Sequence, residues 1–233
     1  MKNSNSYGQF CPVARAAEVV ASRWTPVLLR ELLAGSTKFN HLRQGLPRMS
    51  PALLSKRLVE LEDAGIVQKK KVGNRYEYLI TEMGKELAPV VMTLGVWGQK
   101  YIIQELARHE LDPGLLMWDI HRRIDVSYFA KVKCFVVEFH FYDAAAARRN
   151  WWLVIESGEV DLCIEAPEKE VDLHVSAKLK EITDIWMGRL SLEEAKHKKL
   201  VSFSGVDKNI RSFKNWFSLS VFADIEPVST HKK

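Results

Sequence analysis

The sequence predicts a fold of two parts, a mostly helical N-terminal half and an α+β C-terminal half with an antiparallel sheet. Three observations lead to this prediction. Apolar residues recur at helical spacing through much of residues 12–64, and the period changes to two over residues 66–80. Further along, strand-like runs are gathered within residues 132–177 and helical patterns follow them, which is typical of an α+β domain.

The composition is that of a globular protein. Hydrophobic residues make up 47% of the 233 residues and charged residues 27%. No apolar run approaches the roughly 20 residues that a bilayer-spanning helix needs, and the polar start of the chain lacks the apolar core of a signal peptide. We therefore expect a cytoplasmic protein that does not enter a membrane. The three cysteines are widely spaced, and no paired metal-ligand spacing occurs, so neither a disulfide framework nor a metal site is expected.

The first half begins with three short predicted helices. Pro12 belongs in the first turn of the first helix, where its missing N–H would have no partner in any case. A second helix follows Trp24-Thr25-Pro26 and ends near Gly35. A third carries Phe39 and Leu42 on its apolar face. Three helices of this length predict a small, compact helical domain.

The fourth predicted helix has the features of a helix that reads a DNA groove. Ser50 is a hydroxyl N-cap and Pro51 the first helical residue, and the helix runs to about Ala64. One face is apolar and the other is small, polar and basic near the start, which suits insertion into a major groove. The residues expected to contact DNA are Arg43, Ser50, Pro51, Ala52, Ser55, Lys56 and Arg57. For Ser50 a capping role, and for Arg43 an ordinary surface charge, are the plainer interpretations.

A basic hairpin is predicted after this helix. Two β-prone runs over residues 66–72 and 75–80 are joined through Gly73-Asn74, a typical hairpin turn. Exposed lysines often serve only to protect a strand edge, but a hairpin that follows a helix-turn-helix is a wing, which lies along a phosphate backbone. The expected contacts in this wing are Lys70, Lys71, Asn74 and Arg75. The first half is therefore predicted to be a winged helix-turn-helix.

A long helix is predicted over residues 82–108, with Thr81 as its cap and Pro89 as a kink. At about 1.5 Å per residue it would be roughly 40 Å long, more than a small domain can cover. We expect it to be the interface of a homodimer. Residues 1–110 are accordingly expected to form a DNA-binding and dimerisation domain.

Positive charge is concentrated in this first half. Residues 1–105 contain 15 Lys and Arg and 9 Asp and Glu, whereas residues 106–233 contain 19 and 20. A positive field in the half that holds the predicted helix-turn-helix indicates a nucleic-acid partner. Because a homodimer has two-fold symmetry, we expect double-stranded DNA with a near-palindromic operator.

Ordered motifs within residues 10–103 resemble the HxlR family of winged-helix regulators, relatives of the MarR-like group. The motifs are Cys11-Pro12-Val13, Arg23-Trp24-Thr25, Leu29-Arg30-Glu31-Leu32, Phe39-Asn40-His41-Leu42-Arg43, Ser50-Pro51, Leu53-Leu54-Ser55-Lys56-Arg57-Leu58, Leu61-Glu62-Asp63-Ala64-Gly65-Ile66-Val67, Tyr76-Glu77-Tyr78, and Leu94 with Trp97-Gly98. The resemblance implies a dimeric, operator-binding regulator with residues 50–64 as recognition helix. The wing tip looks shorter than in many members. Some members sense electrophiles or oxidants at a residue matching Cys11; the alternative for Cys11 is a small packing residue.

The second half is expected to be an α+β domain over residues 115–233. The turn signal Asp112-Pro113-Gly114 marks its start. Its strand-like runs are Val132–Tyr142, Asn150–Glu156, Val160–Glu165 and Val171–Ala177. Alternating apolar and polar residues in the first run predict a sheet with one half-exposed face. Helical patterns follow over residues 179–187, 191–200 and 207–217.

The order of these elements over residues 130–217 resembles the sterol-carrier-protein-like fold. The most similar stretches are Asp172-Leu173-His174-Val175, Trp186-Met187-Gly188, Leu190 to Ala195, and Lys199 to Gly205. The resemblance implies an apolar tunnel for a lipid or another hydrophobic molecule. The candidate wall residues, for which an ordinary core position is the alternative, are Trp151, Trp152, Trp186, Phe203 and Trp216.

These observations favour a sequence-specific DNA-binding regulator whose second domain responds to a hydrophobic effector. A thiol-based sensor acting through Cys11 and, less favoured, a hydrophobic-ligand carrier are the alternatives. The sequence has no Gly-x-Ser-x-Gly motif, no paired metal ligands and no glycine-rich phosphate loop. We therefore expect no enzymatic activity and no cofactor.

Overall fold

The computed structural model describes residues 6–102 and 105–228. Within them the chain divides into two compact units, with the division between Gly95 and Val96. The elements of the first part of the chain are α1 (Pro12–Val20), α2 (Thr25–Leu33), α3 (Phe39–Gly45), α4 (Pro51–Asp63), β1 (Val67–Val72), β2 (Arg75–Ile80), α5 (Glu82–Lys85) and α6 (Ala88–Tyr101). The first four helices and the hairpin confirm the elements predicted for a winged helix-turn-helix.

The helices of the first unit pack around a single apolar cluster. Leu28, Leu29 and Leu32 of α2 are buried against Leu42 of α3. The recognition helix α4 adds three leucines that share one of its faces, Leu54, Leu58 and Leu61. Burying one leucine side chain stabilises the fold by about 1.5–3 kcal/mol, so this shared cluster fixes α4 on α2 and α3.

The hairpin is regular and its base is fastened to the helices. β1 and β2 are antiparallel, and the turn between them uses Gly73 with a φ of 59°, a left-handed value that favours glycine. At the base, the Thr81 hydroxyl donates to the carbonyl of Gly65 at 2.8 Å and accepts from the N–H of Gly84 at 3.1 Å. The orientation of the wing is therefore set by the residues that follow α4.

The single long helix predicted over residues 82–108 is wrong. The chain forms two helices, α5 and α6, and the second ends at Tyr101; residues 108–110 form a separate 3₁₀ turn. Residues 103 and 104 of the prediction lie outside the described residues. The break before α6 follows from Pro89, which has no N–H and whose ring would clash with the carbonyl of Lys85, four residues earlier. The helix restarts so that Pro89 lies in its first turn, where no donor is missed.

The second unit contains a five-stranded sheet with helices. Its elements after α6 are α7 (Pro113–His121), β3 (Cys134–Phe141), β4 (Asn150–Glu156), β5 (Glu159–Cys163), β6 (Leu173–Ala177), α8 (Leu179–Trp186), α9 (Leu192–His197), β7 (Val201–Gly205) and α10 (Asp207–Trp216). The strand order is β5-β4-β3-β6-β7. Short 3₁₀ turns cover residues 108–110, 126–129 and 146–148.

The sheet is mixed, which corrects the prediction of an antiparallel sheet. β3 and β6 are parallel, whereas the other three neighbouring pairs are antiparallel. Residues 164–172 carry the chain from the β5 edge to the far side of β3, and Asp172 fixes the new strand there. Its N–H donates to the carbonyl of Val136, and its carboxylate accepts from the N–H of Val136, both at 2.9 Å. Residue alternation predicts which face of a strand is buried but not its neighbour or direction.

The main core of the second unit lies on one face of this sheet. Aromatic rings dominate it, including Phe139 of β3 and Phe213 and Trp216 of α10. The opposite face carries a smaller cluster in which Val136 and Trp152 are buried. In the described residues no helix is long and apolar enough to cross a bilayer.

Candidate DNA-binding surface

The start of α4 presents short and basic side chains to solvent. The exposed residues of this face are Pro51, Ala52, Ser55 and Lys56. Because the leucines of α4 are buried in the core, this face is held in place, and all of its exposed side chains except that of Lys56 are short. A helix in a major groove needs its backbone close to the base edges, and such a face permits that approach.

Ser50 is exposed and caps α4. Its hydroxyl oxygen accepts a hydrogen bond from the N–H of Leu53 at 3.3 Å. A helix N-terminus carries partial positive charge that attracts phosphate. Capping and a phosphate contact are therefore compatible at this residue.

The two arginines of the predicted surface differ in availability. Arg43 lies in the last turn of α3 and is exposed. Arg57 forms an ion pair with Glu60, and its side chain is only 19% exposed. An arginine already bound to a carboxylate must give up that partner to bind phosphate, so Lys56 is the better placed cation of α4.

The hairpin has two chemically different faces. Lys70 lies opposite Glu77 in the register, whereas Lys71 lies opposite Tyr76 on the other face. The Nζ of Lys69 lies 4.4 Å from the centre of the Tyr76 ring, a cation–π contact. Lys70, Lys71, Asn74 and Arg75 are all exposed. Tyr76 is also exposed and is a candidate contact that sequence reasoning missed. Its pairing with Lys71 across the turn could have been inferred from the sequence.

A buried carboxylate on α2 lies against the last residue of α3, and sequence reasoning missed this too. Glu31 is fully buried, accepts a hydrogen bond from the Ser36 hydroxyl at 3.3 Å and forms an ion pair with Arg30. The Arg30 guanidinium also donates to the carbonyl of Gly45 at 3.3 Å. A Cβ on Gly45 would lie 2.0 Å from the Glu31 carboxylate. The adjacent charged residues Arg30 and Glu31, in a helix made mostly of apolar residues, were the signal that could have found it.

One histidine near this surface has a shifted pKa. Burial, and after it the positive charge of Lys38, lowers the pKa of His41 on α3, while the charge of Glu77 opposes the shift. Since an ordinary histidine pKa is about 6.5, His41 is neutral at physiological pH. The positive charge of the surface therefore comes from its lysines and arginines.

Four of the five candidate ligand-wall residues lie at the main core, and the fifth lies on the other face of the sheet. Trp151 and Trp216 are buried in the main core, where their Nε1 atoms donate to the Arg148 carbonyl at 2.9 Å and the Ser212 hydroxyl at 3.2 Å. Phe203 and Trp186 pack against the same core, the Phe203 ring 5.0 Å from that of Phe213. Trp152 belongs to the cluster on the opposite face of the sheet. Among the described residues the buried Nε1 of Trp186 has no hydrogen-bond partner.

Cys11 is the N-cap residue of α1 and is partly exposed, and its side chain makes no capping hydrogen bond. Cys134 and Cys163 lie on strands of the other unit, also as free thiols. No group of three or more His, Cys, Asp or Glu side chains in the described ranges is arranged to hold a metal ion.

Comparison with known proteins identifies the family. The family model for an HxlR-like helix-turn-helix matches residues 19–106. The chain is 34% identical over 94 residues to the HTH-type transcriptional regulator YdeP of Bacillus subtilis, which covers 39% of this chain and 73% of YdeP. It is 34% identical over 98 residues to YvaP of the same organism, covering 40% of this chain and 91% of YvaP. The reduced form of the redox regulator HypR is 32% identical over 38% of this chain and 90% of HypR, with a TM-score of 0.36. The chain belongs to the HxlR-like family of helix-turn-helix transcriptional regulators.

Proposed function

We propose that the chain binds a near-palindromic operator as a homodimer, with α4 in the major groove and the β1–β2 hairpin along the phosphate backbone. The observation that carries this proposal is the face of α4, where Ala52, Ser55 and Lys56 are exposed while the leucines behind them are buried. The proposed DNA contacts are Arg43, Ser50, Pro51, Ala52, Ser55, Lys56, Arg57, Lys70, Lys71, Asn74 and Arg75. Residues 1–110 are proposed to be the DNA-binding and dimerisation domain.

The test is a selection of bound sequences from a pool of random DNA duplexes, followed by fluorescence anisotropy on the enriched duplex. We expect a near-palindromic site, and a Lys56→Ala affinity at least tenfold lower, or about 1.4 kcal/mol. Lys85→Ala is the matched control, because Lys85 is an exposed helical lysine paired with Glu82. Weak binding of all duplexes with equal affinity, or equal losses in the two variants, would refute recognition through α4.

The dimer proposal is supported by the exposed apolar side chains of α6. Leu87, just before α6, and Val91, near the start of α6, pack on the core of the first unit. Further along the same helix, however, Leu94 is 50% exposed, Trp97 54% and Tyr101 45%. Contiguous apolar surface of this kind marks an association site, and a second copy of α6 would cover it. This proposal replaces the predicted interface of one continuous helix with α6 alone.

We further propose that residues 115–233 bind a hydrophobic effector that changes the affinity for DNA. Two things support it: the resemblance to the sterol-carrier-protein-like fold, and the unpartnered Nε1 of Trp186 beside an aromatic core. The proposed wall residues are Trp151, Trp152, Trp186, Phe203 and Trp216, although Trp152 lies on the other side of the sheet from the rest. An effector can act only if it binds the two states of the protein with different affinity.

A series of fatty acids is a suitable probe of effector binding by residues 115–233. We expect saturable quenching of tryptophan fluorescence, reduced in Trp186→Phe, and a shift in operator affinity at saturation. Binding without any shift in operator affinity would favour the alternative of a hydrophobic-ligand carrier.

The second candidate is a thiol sensor, favoured by the position of Cys11 at the N-terminus of α1 and its partial exposure. A partly exposed cysteine is accessible to electrophiles and oxidants. Loss of operator binding after diamide treatment, absent in Cys11→Ser, would support this candidate. Equal loss in both proteins would exclude it.

A further inference from the structure

The two edges of the five-stranded sheet carry opposite charge. Residues 156–165, which contain the edge strand β5, include no basic residue and four acidic residues: Glu156, Glu159, Asp161 and Glu165. Residues 196–214, which contain the other edge strand β7, include one aspartate and six basic residues: Lys196, Lys198, Lys199, Lys208, Arg211 and Lys214. The segment around β5 is therefore acidic, whereas the segments on either side of β7 are mainly basic.

Part of this charge is neutralised locally and part is not. Lys169 binds Glu156 at 2.7 Å, and Lys198 binds Glu194 at 2.6 Å. Lys196 lies over the Phe203 ring, 5.2 Å from its centre. Other exposed residues form no ion pair with another described residue. They include Glu159 and Asp161 on β5, and Lys199 and Lys208 beside β7.

The two edge strands differ in their protection against pairing with another strand: β5 carries Glu159 and Asp161, and β7 carries no charge. In the described sheet β5 pairs only with β4, and β7 pairs only with β6, so one side of each backbone has no strand partner. β7 has no charged residue and no proline in Val201–Gly205, and Ser202 and Ser204 are exposed. Natural edges are usually blocked by charge or proline within the strand. β7 lacks both, while lysines stand at its two ends.

We propose that the β7 edge of one copy of the chain pairs with the β5 edge of a second copy, continuing the sheet from molecule to molecule. Like charges oppose pairing of β5 with β5 and of β7 with β7, whereas unlike charges favour β5 with β7. The pairings within the sheet show that β5 and β7 run in opposite directions. A copy translated along the sheet would therefore bring them together as an antiparallel pair.

This contact is head-to-tail, because it uses two different edges. Each copy keeps one free β5 edge and one free β7 edge, so association can continue beyond two copies. It is separate from the symmetric dimer proposed for α6 and does not depend on DNA binding. A regulator that associates in this way would occupy neighbouring sites on DNA cooperatively.

Charge exchange in the full chain tests the pairing. One variant carries Glu159→Lys with Asp161→Lys, and the other carries Lys199→Glu with Lys208→Glu; all four positions are exposed. Sedimentation velocity over a concentration series should show species larger than a dimer for the unaltered protein at low salt, and fewer of them at high salt. Each variant alone should lose about tenfold or more in this association, since it places like charges opposite each other.

Mixing the two variants should restore association, because the lysines placed on β5 then meet the glutamates placed beside β7. Unchanged association in either variant alone, or a mixture that stays dissociated, would overturn the pairing. Circular dichroism of each variant confirms that the fold is retained. If the unaltered chain does not self-associate but binds an extended glutamate-rich peptide, the β7 edge serves an acidic partner and the second-copy proposal is wrong.

Discussion

Gly45 has no space for a side chain, because the buried carboxylate of Glu31 occupies the position of its Cβ, 2.0 Å away. We predict that Gly45→Ala destabilises the protein by about 1–3 kcal/mol, the usual effect of overpacking a core. The carboxylate cannot move aside without losing Arg30 or Ser36, which would leave a buried charge underpaired. Urea unfolding measures the change.

Gln44→Ala is the matched control for this prediction, because Gln44 is the exposed neighbour in α3. It should change the free energy of unfolding by no more than about 0.5 kcal/mol. If Gly45→Ala behaves like its control, Glu31 does not hold α3 in place and the turn into α4 is set by the leucine cluster alone.

Asp112 makes the stability of the fold depend on pH, and the direction follows from its lowered pKa. Burial raises the pKa of its carboxyl, but hydrogen bonds from Arg148 and from the N–H of Leu115, with the Arg148 charge, lower the pKa by more, so the net shift is downward. A carboxyl whose folded pKa is depressed stabilises the fold above its unfolded value of about 3.9 and loses that contribution as the pH falls through the folded pKa. We therefore predict that Asp112→Asn makes thermal stability less dependent on pH below about 4.

Asparagine keeps the N-cap of α7, so this substitution isolates the charge from the cap. Asp207→Asn, at an exposed position at the start of α10, serves as the comparison and should leave the acid profile close to that of the unaltered protein. An acid profile in Asp112→Asn that matches the unaltered protein would show that the Arg148 pair contributes nothing measurable.

Helices and strands with local signals could be predicted from the sequence, and those that depend on distant residues could not. Ser50-Pro51 placed the start of α4 correctly, because a hydroxyl cap and a proline at the first helical position act within one turn. Pro89 was read as a kink in one helix, whereas one helix ends at Lys85 and a second begins at Ala88, with Pro89 in its first turn. A kink needs neighbouring structure to support the missing hydrogen bond, and the sequence does not reveal whether that support exists.

α6 is the element whose surface most clearly lacks a partner. We predict that Trp97→Glu converts a dimer to a monomer, because a carboxylate in an apolar interface would be buried without a partner. Operator affinity should fall with it, since one recognition helix then binds half a site. Sedimentation equilibrium and anisotropy measure the two effects.

Trp97→Phe is the control, because it keeps an apolar aromatic ring but removes the indole N–H. This variant should remain dimeric. If Trp97→Glu stays dimeric, the exposed stripe Leu94, Trp97 and Tyr101 is not the interface, and the dimer forms elsewhere. If it becomes monomeric but binds DNA as before, the operator is read by one copy.

At the scale of the whole molecule, the sequence predicted the helix-turn-helix of the first half better than the topology of the sheet in the second. Net charge and short motifs can be read directly from the residues, so the basic first half and its helix-turn-helix were evident. The parallel pairing of β3 with β6 depends on where residues 164–172 carry the chain, and on Asp172 meeting Val136, a contact 36 residues apart. The grouping of Trp152 with the other tryptophans had a different cause: strand alternation alone places it on the face opposite Trp151, and this signal was not used.

The difference in charge between the two halves leads to a prediction about how the affinity for DNA depends on salt concentration. If the first half alone contacts phosphate, the slope of log affinity against log salt concentration depends only on its lysines and arginines, about 0.9 for each neutralised phosphate. Lys70→Ala and Lys71→Ala should therefore each make the slope shallower by about that amount. Lys208→Ala removes an equally exposed lysine from the second half and should leave the slope unchanged. Anisotropy titrations of one operator duplex at four or more salt concentrations measure the slope, and a shallower slope for Lys208→Ala would place the basic end of the sheet on DNA.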